Sequence, residues 1–219
     1  MSELIVFTKV PEKGYVKTKL NKRFPLHLVE ELYTAFLVDT LDKLSDFDPY
    51  VAYYPEKKLQ MLWNILGDRK YIVQKGKGIW ERKARIFDGF YRSGYGYVAA
   101  VHCDVPLLDK ALIEDAFSLM ADNDIIIGPA ADGGIYFIGG TKVTPELFDG
   151  VEWKDPGSCE RIRENARALG LTLVELAEQQ DVDTPEDLAA VWQGGNLDKS
   201  GKTYEVMRKA FRGTLVKGA

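Results

Sequence analysis

Four lysines fall within the eleven residues Lys9-Val-Pro-Glu-Lys-Gly-Tyr-Val-Lys-Thr-Lys19, directly after the apolar run Leu4-Ile-Val-Phe7. Backbone N–H groups in a turn, aided by ammonium groups, form a nest for phosphate oxygens. Lys9, Gly14, Lys17, Thr18 and Lys19 are therefore candidate phosphate contacts, although the GxxxxGK[ST] spacing of a P-loop is absent. On spacing alone, a solvated basic hairpin explains the same residues equally well. Asp104 follows the run Tyr97 to Val101, where a carboxylate at the carboxyl end of a central strand is placed to ligate a divalent ion. A turn aspartate in Asp-Val-Pro is the plainer reading. Asp181-Val-Asp-Thr-Pro-Glu-Asp-Leu188 contains a helix start, with Thr184 as N-cap, Pro185 at the first helical position and Asp187 at the third. That leaves Asp181 and Asp183 unexplained, and these paired acids are candidates for a second metal ligand. Asp132-Gly-Gly134 reads as a tight turn by its chemistry, or as a place where missing side chains let an acceptor approach the backbone. Gly76 and Arg82 flank the start of another predicted helix, where Arg82 offers a phosphate contact and Glu81 a base.

The elements that must position these groups alternate in type. Short apolar runs (Leu4–Phe7, Val51–Tyr54, Tyr71–Val73, Tyr97–Val101, Ile125–Ile127, Ile135–Ile138, Leu171–Val174) are separated mostly by helix-length segments, among them residues 25–45 with Leu28, Leu32 and Phe36 at helical spacing. Strands that read as continuous apolar runs argue for a mostly parallel sheet covered on both faces, an α/β fold. Such sheets hold ligands beyond the carboxyl ends of their strands, where the loops above lie.

At 219 residues the chain is expected to form one large domain over residues 1–192, followed by a basic tail over 193–219. In the tail, Tyr204, Met207 and Phe211 share a helix face that docks on its own domain or, through a homodimer, on a second subunit. A net charge of −4 argues against a general nucleic-acid binder. Cys103 and Cys159 fit neither a disulfide framework nor a zinc site, and His27 and His102 cannot build a multi-histidine metal centre. Any metal is then a hard ion held by carboxylate, Mg2+ or Mn2+. No run is long enough to span a bilayer, and a cytoplasmic location is expected.

In order along the chain, Val16-Lys-Thr-Lys-Leu20, Glu81-Arg82, Cys103-Asp-Val-Pro106, Gly128-Pro-Ala-Ala-Asp-Gly-Gly134 and Asp181 to Leu188 resemble the small prokaryotic transferases of the glycosyltransferase-A, or nucleotide-diphospho-sugar transferase, fold. That group includes a glycosyltransferase-like branch associated with arsenosugar biosynthesis, and its neighbours include the 2-phospholactate and molybdenum-cofactor guanylyltransferases. The resemblance covers residues 3 to 192. It implies a three-layer α/β/α Rossmann-like fold, and a metal-dependent transferase acting on a nucleotide sugar and a small-molecule acceptor. Transfer of a nucleotidyl group from a nucleoside triphosphate to a small phosphorylated acceptor is the alternative, and a non-catalytic nucleotide binder a third reading. Carried over, Lys17 and Lys19 contact phosphates, Asp104 binds metal, Asp132, Gly133 and Gly134 face the acceptor, and Asp183 is the second metal ligand or an acceptor-side acid. Three acids of the family pattern are replaced here by Gly78, Leu107 and Ala131, and an arginine by Lys19, which keeps the charge but loses the bidentate fork.

Overall fold

The computed structural model describes residues 1–152 and 155–215. Seven strands form one sheet in the order β3-β2-β1-β4-β6-β5-β7. They are β1 (Ser2–Lys9), β2 (Tyr50–Tyr54), β3 (Tyr71–Val73), β4 (Tyr97–His102), β5 (Ile125–Pro129), β6 (Ile135–Gly140) and β7 (Leu173–Glu175). The pairs β1–β2, β1–β4, β2–β3 and β5–β7 are parallel, and β6 alone runs antiparallel, to both β4 and β5. Helices lie in the connections: α1 (Leu26–Lys43) and α2 (Leu59–Leu66) join the parallel neighbours β1–β2 and β2–β3, and α3 (Ile79–Arg92), α4 (Lys110–Leu119) and α5 (Ser158–Ala168) lead from β3 to β4, β4 to β5 and β6 to β7. After the last strand come α6 (Pro185–Gly194) and α7 (Lys202–Leu215).

The continuous apolar runs are buried because both faces of the sheet are covered. Along β1, Leu4 and Val6 pack into a layer with α1, α4, α6 and α7, whereas Ile5 and Phe7 pack into a second layer with α3 and α5. This alternation has the two-residue period of a strand. Helix α3 serves its layer with Trp80, Ala84 and Phe87 on one stripe. Close approaches fix the glycines of β6: a Cβ on Gly140, where φ is +153°, would lie 2.0 Å from the Asp124 carbonyl oxygen. The boundary expected at residue 193 falls in the last turn of α6, and α7 packs its apolar face against α1 of the same chain, with Met207 fully buried and Phe211 stacked on Trp192. Residues 216–219 of the expected tail lie outside the described residues.

Candidate functional site

A cavity of about 410 Å3 opens at the carboxyl ends of β1, β2 and β4. One wall is the loop after β1. Buried Val16 and Leu20 pin this loop to the core, and Glu12 pairs with Lys58, whose ammonium also lies 5.2 Å from the Tyr15 ring centroid. Lys17 adopts a left-handed conformation, φ 43° and ψ 47°, immediately before the 3-10 turn Thr18–Lys22. That conformation is uncommon for a residue with a side chain. It accompanies an inward-facing ammonium 2.5 Å from Asp104 Oδ2 and 2.6 Å from Asp183 Oδ1. Lys19 joins from outside, 3.3 Å from Asp183 Oδ2.

The two acids come from opposite ends of the chain. Asp104 follows β4, and Asp183 immediately precedes α6, where the capping box of Thr184 and Asp187 fixes its backbone and the Asp183 N–H donates to Asp187 Oδ2 at 3.0 Å. The Val182 N–H donates to the Asp104 carbonyl at 2.9 Å, which ties the two loops together. Burial would raise both carboxyls, but Lys17 holds Asp104 below its ordinary range and, with Lys19, Asp183 down at about 2. In return, and against its own burial, Lys17 is held firmly protonated by Asp104 and Asp183. Asp181 has the opposite environment: burial, then Asp104 and Asp132, push its carboxyl up to about 7.

The remaining walls are partly apolar. Lys9, Lys77 and Arg82 complete five cationic side chains on the cavity, against the two carboxylates. The Arg82 guanidinium lies 4.4 Å from the Tyr54 ring centroid, and its Nε is buried without a hydrogen-bond acceptor among the described residues. Gln74 is buried, and its amide donates to the carbonyls of Thr8 at 2.9 Å and Ala52 at 2.7 Å, so both amide hydrogens are engaged and Oε1 is the end not committed to them. Behind β1, the Tyr33 hydroxyl accepts from the Lys9 N–H at 3.0 Å and lies 3.2 Å from Thr8 Oγ1. Cys103 packs onto this pair, and burial pushes its thiol up to about 11, which makes it a packing group rather than a nucleophile. His102 lines the cavity, and burial together with nearby Lys83 pushes it down to about 3, so the imidazole is neutral.

Of the expected site residues, Lys9, Lys17, Thr18, Lys19, Arg82, Asp104 and Asp183 all line this cavity. Gly14, Gly76, Asp132, Gly133 and Gly134 do not. Gly14 (φ +81°) turns the backbone of the first loop, and Gly76 (φ +141°) packs against the base of α3. Asp132 accepts the Gly134 N–H at 2.8 Å, which is the tight turn between β5 and β6. A Cβ on Gly133 would lie 2.0 Å from the Pro156 carbonyl oxygen, so the space its missing side chain leaves is filled by this chain itself rather than left for an acceptor. Glu81 accepts the Lys77 N–H at 2.9 Å and pairs with Arg85, which shapes the start of α3 and uses up the carboxylate. Gln74 and Tyr54 also line the cavity and were not among the expected site residues, whereas Asp181, expected with Asp183 as a paired acid, does not line it. A polar residue directly after the run Tyr71–Val73 was the available signal for Gln74.

The chain is 27% identical over 193 residues to the 2-phospho-L-lactate guanylyltransferase of Methanocaldococcus jannaschii, covering 86% of this chain and 82% of that one. A solved structure from Desulfovibrio desulfuricans G20, provisionally named a nucleotide-diphospho-sugar transferase, superposes with a TM-score of 0.89 at 28% identity, over 95% of this chain and 94% of the other. The inositol-1-phosphate CTP transferase of T. maritima shares the fold at a TM-score of 0.58 and 15% identity, over 96% of each chain. The expected α/β nucleotide-diphospho-sugar transferase fold is therefore the fold observed, and the expected class, a transferase on a nucleotide-using fold, holds. No helix among the described residues is long and apolar enough to cross a membrane. A family model matches residues 37–155, more than half of the sequence, and the chain belongs to that family, described as uncharacterized proteins conserved in bacteria (DUF2064).

Proposed function

We propose that the protein is a metal-dependent nucleotidyltransferase, which binds a nucleoside triphosphate in the cavity beyond β1 and β4 and transfers its nucleotidyl group to a small phosphorylated acceptor. The observation that carries this reading is the convergence of Lys9, Lys17, Lys19, Lys77 and Arg82 on one cavity with two carboxylates at one end. Five cations against two acids leave a positive excess that suits a polyphosphate better than a neutral sugar. The 27% identical guanylyltransferase supports the same direction.

The acids fit a hard divalent ion. Asp104 and Asp183 already converge on one cation, the Lys17 ammonium, and present carboxylate oxygens of the kind that Mg2+ or Mn2+ takes. Among the described residues no group of three or more His, Cys, Asp or Glu side chains is arranged as a metal cage, so two protein carboxylates and the phosphates themselves would share the ion. When bound, such an ion neutralises charge on the departing pyrophosphate. The protein's own part is positional and electrostatic: Lys19, Lys9 and Arg82 hold phosphate oxygens, and Gln74 Oε1 offers an acceptor beside the aromatic wall of Tyr54. Lys17 has a dual assignment, as counter-ion of the acids in the ligand-free protein and phosphate contact when nucleotide is present.

Glycosyl transfer from a nucleotide sugar is the second reading, supported by the name of the Desulfovibrio protein. A thermal-shift panel of nucleoside triphosphates, nucleoside diphosphates and nucleotide sugars, with and without Mg2+ or Mn2+, separates the two. A ligand at 100 times its dissociation constant adds about 2.7 kcal/mol. A metal-dependent shift selective for triphosphates is expected; one selective for nucleotide sugars replaces the proposal with glycosyl transfer. Binding without turnover across acceptors would assign a non-catalytic binder, to which the losses at Gly78, Leu107 and Ala131 point.

A further inference from the structure

Among the described residues Lys83 is a fully buried lysine in an apolar layer. It sits one turn after Ile79 on α3, has no exposed surface, and its Nζ has no hydrogen-bond acceptor among the described residues. The ammonium instead lies 5.2 Å from the Trp80 ring centroid and 5.6 Å from that of Phe7. Ring faces favour a cation, but they do not replace a hydrogen-bonded counter-charge. Phe7 and His102, partners in the β1–β4 register, both line the cavity, so Lys83 stands behind the wall that they form. Burial pushes its amine down to about 7, and Asp104 is the acid that opposes the shift. An uncompensated lysine in an apolar layer costs stability, and a methionine of similar shape would fill the same space without that cost.

We propose that Lys83 is an electrostatic positioning residue for the polyphosphate: a buried positive charge behind Phe7 and His102 whose missing counter-charge is the anionic chain of the bound nucleotide. This deepens the nucleotide reading above and rests on it. The charge needs no contact with the ligand. In a dry interior its field reaches the cavity with little screening, and one unit charge at roughly 10 Å in an effective dielectric of about 20 changes the affinity for one unit of opposite charge on the order of tenfold, an effect that is full below pH 7, where the amine is protonated. The substrate class that it selects is the charged nucleotide over the neutral nucleoside of the same base.

The test compares the wild-type protein with Lys83→Met and Lys83→Gln by calorimetry at about pH 6, where Lys83 is charged. The probes are the nucleoside triphosphate giving the largest thermal shift, with Mg2+, and its parent nucleoside. The expected result is a loss of triphosphate affinity of about tenfold in both variants with nucleoside affinity unchanged, and a ligand-free melting temperature of the methionine variant at or above that of the wild type. A merely structural lysine would lower the melting temperature and leave the preference for triphosphate over nucleoside intact. Equal triphosphate affinity in all three proteins overturns the inference, as does an equal loss for both probes or failure of both variants to fold. Absence of triphosphate binding by the wild type refutes the nucleotide reading itself, an outcome read before any variant is compared.

Discussion

Replacing Lys17 by methionine removes the cation from between Asp104 and Asp183 while keeping most of the side-chain volume. The Lys17 side chain is 7% exposed, and those of the two acids are 21% and 25% exposed. A carboxyl held at about 2 in place of 3.8, as at Asp183, is worth roughly 2 kcal/mol of folding free energy at neutral pH. Asp104, lowered by the same ammonium, adds to this, and two facing carboxylates are left uncompensated. The expected loss at pH 7 is about 3 kcal/mol, or roughly 6–12 °C in a domain of this size. The pH dependence follows from the direction of the shift. A depressed carboxyl contributes stability that is present above its unfolded value of 3.8 and is lost as the pH falls through about 2, while Lys17 stays charged throughout. The Asp183 share of the gap between wild type and variant should therefore be complete at pH 7 and about half closed at pH 3. Urea unfolding of both proteins in EDTA, at the two pH values, measures it. A loss below about 1 kcal/mol at pH 7, or a gap of the same size at pH 3, would refute the assignment of Lys17 as the shared counter-ion.

Asp104→Asn should abolish the metal-dependent part of nucleotide binding in calorimetry while the protein stays folded; undiminished affinity would remove Asp104 from the site. Asp181, raised to about 7 by burial and neighbouring acids, gives the sign opposite to Asp183: its contribution is present below 3.8 and is lost as the pH rises through 7. In EDTA, Asp181→Asn should therefore stabilise the protein at pH 8 relative to pH 5, by about 2 kcal/mol after allowance for solvent screening, and equal effects at both pH values would contradict that environment. Gly140→Ala places a methyl group against the Asp124 carbonyl at the end of β6 and should cost more than 2 kcal/mol in denaturant unfolding, whereas Gly94→Ala, with open space around it, pays only for its positive φ.

The strands were readable because burial on both faces leaves continuous apolar runs, and the start of α6 because Thr184, Pro185 and Asp187 obey local capping rules. Lys17, Asp104 and Asp183 were nameable from their places beside strand ends and a helix start. Their mutual distances depend on crossovers that no local pattern records. The reversed direction of β6 left one trace, the tight Asp132-Gly-Gly134 turn, and turn chemistry proved the better guide there than an acceptor role. Lys83 was invisible for a general reason: a lysine in a charged helix such as Glu81-Arg-Lys-Ala-Arg85 reads as solvated, and only the packing of α3 on β1 and β4 shows that it faces inward.

The salt link from Lys17 to Asp183 joins residues 166 positions apart. Lys17 follows β1, and Asp183 follows β7. The cavity wall built from β1 through β4 thus exists as sequence long before its second acid arrives, and the two carboxylates meet only when the loops after β4 and β7 are brought together. A contact this distant in sequence adds to contact order and so slows folding, but it also makes an electrostatic seal that forms only when the loops after β1 and β7 come together. Any fragment ending before Asp183 would keep the lysines of the first loop and Asp104 but lose one of the two carboxylates that balance Lys17. The pairing of Lys17 with both acids is in this sense a report on whether β1 and β7 have both taken their places in the sheet.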